Sequence, residues 1–125
     1  MTHGITYGYD AFGSVETFTT MLDTTCAEAD RLWIAPLAEV GAYVKEKEAT
    51  TLEISDDGKT LHITPRMSLD SGIFNQPLTL LINKAIIPAI ASVKQDGKSL
   101  PVCETDSCYM LDFIPSAGMI VCEYE

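Results

Sequence analysis

The spacing of hydrophobic residues changes once along the chain, after Ala49. Before this point apolar residues recur every three or four positions, which is typical of one face of a helix. After it, apolar and polar residues alternate, which is typical of strands with one buried face. We therefore expect two domains, residues 1–49 and residues 50–125.

The first domain begins with an amphipathic helix between Ser14 and Ala29. Its apolar residues recur at helical spacing: Val15, Phe18, Met21, Leu22, Cys26 and Ala29. Ser14 is suited to cap the helix, and Glu16 is favourable near the positive end of the helix dipole.

A short bulky segment over residues 31–35 predicts a buried strand, and Pro36 then stands at a first helical position. A second helix is expected from Pro36 to about Glu48. One of its faces is predicted to carry Leu37, Val40, Tyr43, Val44 and Lys47. The residues predicted to face water are Glu39, Lys45, Glu46 and Glu48.

The second domain reads as seven short strands separated by turns. Two hairpins are expected, around Asp56–Lys59 and around Asp96–Lys98, because Asp-Gly pairs tolerate positive φ. The predicted strands cover residues 51–54, 61–64, 77–83, 92–95, 99–102, 109–114 and 119–124, with a turn at 115–118 between the last two. This pattern predicts an α+β protein with an antiparallel β-sandwich of about seven strands.

Charge and hydropathy limit the partners of this 125-residue chain. The formal net charge of -10 argues against nucleic acid or an anionic membrane as partner, because both would be repelled. No apolar stretch approaches the roughly 18 residues that a membrane span requires. If Met1 is the true start, the sequence predicts a cytoplasmic protein, and if a leader precedes it, an exported one.

The cysteines and the second histidine are expected to be structural. The spacing of Cys26, Cys103, Cys108 and Cys122 matches no zinc or redox template, so buried thiols are expected. A local disulfide between Cys103 and Cys108 is the alternative if the protein is exported. His62 lies on the polar face of a hairpin strand and is expected to face solvent.

The segment order of the first domain resembles the end of the polysaccharide deacetylase family, the metal-dependent carbohydrate esterases. The resemblance rests on the order of four segments: His3-Gly4-Ile5, the amphipathic helix, Leu32-Trp33-Ile34-Ala35, and then residues 39–47. The second domain, with Asn75–Thr79 and Gln95–Lys98, resembles the β-rich tail of some bacterial members. The resemblance implies that residues 1–49 are a strand-helix-strand-helix remnant of a β/α barrel.

In that family one aspartate and two histidines hold a divalent metal, usually zinc, a second aspartate is the base and a late histidine is the general acid. The resemblance carries the acid role to His3 alone. A metal that activates water needs about three protein ligands and an open position, whereas this chain has only His3 and His62. We therefore predict no metal site, no cofactor and no catalysis by this chain alone.

The candidate substrate contacts are aromatic. Tyr7 and Tyr9 lie in a glycine-rich segment that, in the resembled barrel, follows the His3 strand at the mouth of the active site; alternatively, this loop folds onto its own core. Trp33 could stack on a sugar ring or anchor the helices to the missing strands.

Three functions compete. The first is a non-catalytic deacetylase-like fragment with an accessory sandwich, whose N-terminal part is covered by a second copy or by the missing barrel portion. The second is a carbohydrate-binding sandwich, which requires at least two exposed, coplanar rings among Phe74, Tyr109 and Tyr124. The third is cysteine catalysis, which requires a thiolate close to a base such as His62.

Overall fold

The computed structural model describes residues 4–7 and 11–125, and the predicted site residues His3 and Tyr9 lie outside them. The chain separates into two compact units, Met1–Pro36 and Leu37–Glu125. Within the described residues the architecture is α+β, with two helices followed by two antiparallel sheets. In the described part of the chain, no helix is long and apolar enough to cross a membrane.

The first helix, α1, spans Val15–Ala27 and confirms the prediction from helical spacing. Ser14 is its N-cap: the backbone of Ser14 is extended, and its Oγ accepts a hydrogen bond from the Thr17 backbone N–H at 3.0 Å. This bond satisfies one of the N–H groups that a helix leaves unpaired in its first turn. The cap signal in the sequence therefore locates the start of the helix correctly.

The strand predicted over residues 31–35 is wrong. The chain turns after α1, where the backbone N–H groups of Arg31 and Leu32 both donate to the carbonyl of Glu28. Residues 32–36 follow without forming a strand. A strand forms only when its backbone hydrogen-bonds to a neighbouring strand. The described chain offers no such neighbour to residues 31–35, so their bulky side chains alone do not make this segment a strand.

The second helix, α2, spans Leu37–Ala49, and β1 begins at the next residue. The predicted change of period after Ala49 is thus confirmed as a change of secondary structure, whereas the domain boundary placed there stays a prediction. The predicted orientation of α2 is partly wrong, because Glu46 is buried while Leu37 is 84% exposed and Val44 is 45% exposed. Tyr43 packs against the core, so the face that carries Tyr43 and Glu46 is turned inward.

The part of the chain that the structure describes contains eight strands in two sheets. They are β1 (Thr50–Asp56), β2 (Thr60–Met67), β3 (Leu78–Asn83), β4 (Ile90–Gln95), β5 (Lys98–Ser99), β6 (Cys103–Glu104), β7 (Cys108–Phe113) and β8 (Ile120–Tyr124). The five-stranded sheet has the order β1-β2-β8-β4-β5, and the three-stranded sheet has the order β3-β7-β6.

Both predicted hairpins are present. In the β4–β5 turn, Asp96 and Gly97 adopt φ values of 49° and 77°, the left-handed conformation that a two-residue hairpin turn needs. Of the strand predicted over 99–102, only Ser99 lies in a strand, at the end of β5; residues 100–102 connect β5 to β6, which belongs to the other sheet. Pro101 lies at this crossing, where its missing N–H interrupts no ladder.

One hydrophobic core receives side chains from both sheets. Its members are Leu61, Ile63, Val93, Ile120 and Cys122 from the five-stranded sheet, Leu78, Ile82, Tyr109, Leu111 and Phe113 from the three-stranded sheet, and Ile87 from a loop. Along β2, buried and half-buried residues alternate from Thr60 to Pro65. The period-two pattern of the sequence therefore predicts the inner face of this strand correctly.

Candidate interaction surface

Helix α1 exposes its apolar stripe. None of its residues is buried, and the side chains of Val15 and Leu22, two turns apart on this stripe, are 60% and 42% exposed. Phe18 lies between them and is half-buried because its ring contacts the ring of Phe12, with the two centroids 5.1 Å apart. The helix is thus capped and amphipathic, yet its apolar face is largely open to solvent.

A second group of exposed apolar side chains follows the turn after α1. Leu32, Trp33 and Ile34 are 50%, 57% and 63% exposed. Exposed apolar groups of this kind mark sites of protein interaction when they form extended patches. We use the term N-terminal apolar surface for the following residues of the first unit: Val15, Met21, Leu22, Leu32, Trp33 and Ile34.

In the second unit, α2 also has an exposed apolar stripe. It carries Leu37 and Val44, which are two turns apart, with the half-buried Val40 between them. The buried face of α2 contains Glu46, which accepts a hydrogen bond from the Gln76 backbone N–H at 2.9 Å. This bond holds the loop before β3 against the helix.

The structure describes two of the four predicted site residues. Tyr7 is 86% exposed and Trp33 is 57% exposed, both in the first unit. His3 and Tyr9 lie outside the described residues, so the general-acid role of His3 and the substrate contact of Tyr9 stay predictions.

The aromatic residues of the second unit do not form the exposed platform that a carbohydrate-binding sheet would need. Tyr109 is 6% exposed, its hydroxyl donates to the Pro88 carbonyl at 2.8 Å, and Lys84 Nζ lies 5.1 Å from its ring centroid. Tyr124 and Phe74 are half-buried.

The thiols and His62 are not arranged for nucleophilic catalysis. All four cysteines are free; Cys122 is buried, Cys108 is half-buried, and Cys26 and Cys103 are exposed, so the expectation of buried thiols is wrong for the last two. Burial raises the pKa of the Cys122 thiol, which disfavours the thiolate. Cys122 pairs with Leu61 on the inner face, whereas the neighbouring His62 points to the other face of the sheet.

Metal-ligand groups of the usual kind are also absent from the described residues. No three His, Cys, Asp or Glu side chains come together in residues 4–7 and 11–125. The predictions of no metal and no cofactor nevertheless stay predictions, because His3 and Asp10 lie outside these ranges.

The sequence interpretation missed the buried role of Glu46 and the exposed stripe of α2. A signal was available, since Ala42, Tyr43, Glu46 and Ala49 lie at helical spacing and form a stripe of small and aromatic residues with one acid in it. The predicted inner face included Tyr43 correctly, but it also included the apolar Leu37 and Val44, and it placed Glu46 in water because of its charge.

Comparisons with family models, with curated proteins and with solved structures found no match for this chain. The resemblance to polysaccharide deacetylases therefore stays a prediction.

Proposed function

We propose that this chain is a non-catalytic accessory protein whose N-terminal unit binds the barrel portion of a polysaccharide deacetylase-like protein. The single observation that carries this proposal is that α1 has an apolar stripe and a formed N-cap but no buried residue. Helices of β/α barrels use such a stripe to cover the strands of the barrel. A barrel portion is thus the kind of partner that would bury the stripe.

The same partner accounts for the exposed segment over residues 32–34. Leu32, Trp33 and Ile34 have the composition of a buried strand but form no strand in the described chain. A neighbouring barrel strand would pair with this segment and would cover the three side chains. On this proposal, residues 1–49 complete a barrel and the strands from Thr50 onward form a sandwich-like accessory module.

The catalytic groups would come from the partner. This chain contains two histidines, and a metal that activates water needs about three protein ligands together with an open position. We therefore expect the isolated chain to release no acetate from acetylated chitooligosaccharides. The role of the chain in the complex is to close the barrel and to present the sheets.

The experiment mixes this chain with a separately prepared deacetylase barrel that lacks its last two strands and whose tryptophans are replaced by phenylalanine. Because Trp33 is the only tryptophan of this chain, its emission reports burial of the N-terminal apolar surface. Sedimentation velocity should detect a 1:1 complex, and the emission of Trp33 should move to shorter wavelength.

A matched pair of variants locates the contact. Leu22→Glu places a charge on the N-terminal apolar surface and should abolish the complex, because an unpaired charge in an apolar interface is strongly unfavourable. Ile86→Glu introduces the same charge at a side chain of the second unit that is 73% exposed, and it should leave the complex intact.

Two outcomes would contradict the proposal. One is the absence of a complex together with unchanged Trp33 emission. The other is a shift of Trp33 emission as the concentration of this chain alone is raised, if Leu22→Glu abolishes that shift. This result would show that the N-terminal apolar surface binds a second copy of the chain instead of a barrel.

A second candidate, glycan binding, is favoured only by the exposure of Tyr7 and Trp33. Exposed aromatic rings offer apolar faces to a pyranose, whereas Phe74, Tyr109 and Tyr124 offer no such platform. Titration with chitohexaose should quench Trp33 emission if this candidate is correct, and Tyr7→Ala should remove the response. No change of emission at millimolar sugar would reject it.

A further inference from the structure

The three-stranded sheet has one long edge to which no other strand pairs in the part of the chain that the structure describes. The strand order is β3-β7-β6, so β3 is hydrogen-bonded to β7 on one side and open on the other. An edge strand presents backbone N–H and C=O groups that can pair with another chain. A further strand can therefore be added beside β3.

This edge lacks the features that usually prevent such pairing. Natural edge strands are commonly very short, or they carry charged residues or proline. Strands β5 and β6 have two residues each, and β1 carries Glu53 and Asp56. Strand β3 has six residues, Leu-Thr-Leu-Leu-Ile-Asn, with no charge and no proline. Of the edge strands in the described residues, β3 alone is both long and uncharged.

Two leucines of β3 are incompletely covered. On the inner face, Leu78 and Ile82 are 5% and 6% exposed, whereas Leu80 between them is half-buried. On the outer face, Leu81 is 61% exposed, although it lies opposite Met110 of β7. Side chains on adjacent strands contact one another across the ladder, so a strand added beside β3 would cover both leucines.

We propose that β3 pairs antiparallel with β3 of a second copy of this chain, about a two-fold axis at Leu81. In this register Leu81 meets Leu81, Leu80 meets Ile82, and Thr79 meets Asn83. Directly opposite residues share a face of the sheet. Apolar side chains therefore meet apolar ones on both faces, and the polar pair stays on the outer face. The two three-stranded sheets become one continuous sheet.

Charge favours β3 over β1 as the self-pairing edge. Two copies with a formal net charge of -10 each repel one another, so a surface that binds its own copy must keep like charges apart. The β3 register brings no charged residue of the strand to the axis. If β1 paired over its full length, Glu53 in its middle would lie opposite Glu53 of the second copy, which is unfavourable.

Helix α2 lies beside the beginning of β3 and is compatible with this register. Tyr43 and Lys47 of the helix line a cavity of about 130 Å³ together with Leu78, at the first position of the strand. Leu78 lies outside the residues that pair, so the helix keeps its place beside it.

The association ends at two copies. A two-fold interface uses the same surface on both partners, so pairing of the two β3 edges leaves none of these edges free. The edges that remain in the described residues are the acidic β1 and the two-residue strands β5 and β6. We therefore expect a closed dimer and no fibre.

Sedimentation equilibrium of the full chain tests the proposal from micromolar to near-millimolar concentration. The data should fit a monomer–dimer equilibrium with no larger species. Higher salt should strengthen the dimer, because it screens the repulsion between the two acidic copies. The Leu22→Glu variant should dimerise equally well, because the N-terminal apolar surface takes no part in this pairing.

A matched pair of variants locates the interface. Leu81→Lys places two like charges opposite one another at the axis and should weaken the dimer by at least about 100-fold. Ile54→Lys introduces the same charge on the other long edge strand, β1, at a side chain that is 63% exposed, and it should not weaken the dimer. Circular dichroism of both variants checks that the fold is retained.

Amide hydrogen exchange tests the backbone pairing directly. The amides of β3 that face its open edge should exchange more slowly at a concentration where the dimer forms than at one where the monomer dominates. The amides on the open edge of β1 should exchange at the same rate at both concentrations.

Three results would overturn the proposal. They are a monomer at near-millimolar concentration, a folded Leu81→Lys variant that dimerises as tightly as the unaltered chain, and exchange of the β3 amides that does not depend on concentration. Equal weakening by Ile54→Lys would likewise contradict it, since the interface would then include β1. None of these results bears on the proposed barrel partner, which binds the first unit.

Discussion

The side-chain amide of Gln95 and the backbone of Ile114 form a reciprocal pair of hydrogen bonds. Gln95 Nε2 donates to the Ile114 carbonyl at 2.7 Å, and the Ile114 N–H donates to Gln95 Oε1 at 3.1 Å. Nε2 also donates to the Gly118 carbonyl at 3.1 Å. Gln95 ends β4 in the five-stranded sheet and Ile114 follows β7 in the three-stranded sheet, so this amide links the two sheets.

Replacing this amide should destabilise the second unit. Gln95 is only 5% exposed, so Gln95→Leu leaves three backbone groups without their partner in a buried site. We expect a loss of about 3 kcal/mol in the free energy of unfolding, measured by urea denaturation. Lys94→Leu, at an exposed neighbouring position on the same strand, should change stability by less than about 0.5 kcal/mol. A similar small effect for Gln95→Leu would contradict the linking role.

A second contact makes stability depend on alkaline pH. The Tyr124 hydroxyl donates to Asp56 Oδ1 at 2.6 Å. This bond raises the pKa of Tyr124 to about 12 and, with the Gly58 N–H, holds the pKa of the Asp56 carboxyl below its usual value. The folded protein therefore holds the tyrosine proton more tightly than the unfolded chain does. The contribution of this hydrogen bond to the free energy of unfolding is complete below the ordinary tyrosine pKa of about 10 and is lost as the pH rises towards 12.

The stability that comes from the Asp56 carboxyl changes with pH in the opposite direction. It is present above the ordinary carboxyl pKa and is lost as the pH falls through the lowered pKa of Asp56. Urea denaturation across both ranges measures these slopes. Tyr124→Phe should flatten the loss of stability above pH 10, and Asp56→Asn should do the same. The double variant should add little to either change; additive effects would show that the two groups titrate independently.

Elements specified by local signals were predicted well from the sequence. Ser14 starts α1, and the Asp-Gly pair at Asp96 and Gly97 turns β4 into β5, because each depends on a few neighbouring residues. Features that depend on distant partners were missed. The segment over 31–35 lacks a neighbouring strand, and β5 and β6 separate because they pair with different strands.

The candidate surface could be predicted only in part, for the same reason. The apolar stripe of α1 follows from its spacing, but the sequence does not reveal that the described chain leaves it exposed. In α2 the predicted inner face was right for Tyr43 and wrong for Leu37, Val44 and Glu46, because the contacts of Tyr43 and Glu46 with the rest of the second unit leave Leu37 and Val44 exposed.

Two glycines with equal space around them should respond in opposite directions to substitution by alanine. An added Cβ would meet no heavy atom within 4 Å at either Gly41 or Gly97. Gly97 has a φ of 77°, where a side chain costs about 1–2 kcal/mol, so Gly97→Ala should destabilise the protein. Gly41 lies inside α2, so Gly41→Ala should stabilise it by about 0.5–1 kcal/mol.

Thermal or urea denaturation of both variants checks this pair. Equal changes in the free energy of unfolding for the two substitutions would show that backbone conformation does not determine their effect on stability.

The buried carboxylate of Glu46 leads to the last prediction. Glu46 Oε1 accepts from the Gln76 N–H, while Oε2 and the buried Thr50 Oγ1 have no hydrogen-bond partner among the described residues. Thr50 follows Glu46 by four positions and begins β1 directly after α2. Glu46→Gln keeps the acceptor for Gln76 and replaces the unpartnered Oε2 by an amide N–H, the kind of donor that Thr50 Oγ1 lacks among the described residues.

We therefore expect Glu46→Gln to stabilise the protein by about 1 kcal/mol, the net value of a typical hydrogen bond. The gain should disappear in a Thr50→Val background, and urea denaturation of the four proteins in this cycle measures the coupling. Glu46→Ala should instead lose about 1–3 kcal/mol, because the Gln76 N–H is left without an acceptor. Glu48→Gln, on an exposed residue of the same helix, controls for the loss of charge. If Glu46→Gln destabilises the protein as much as Glu46→Ala, the ionised carboxylate itself is required and the prediction is wrong.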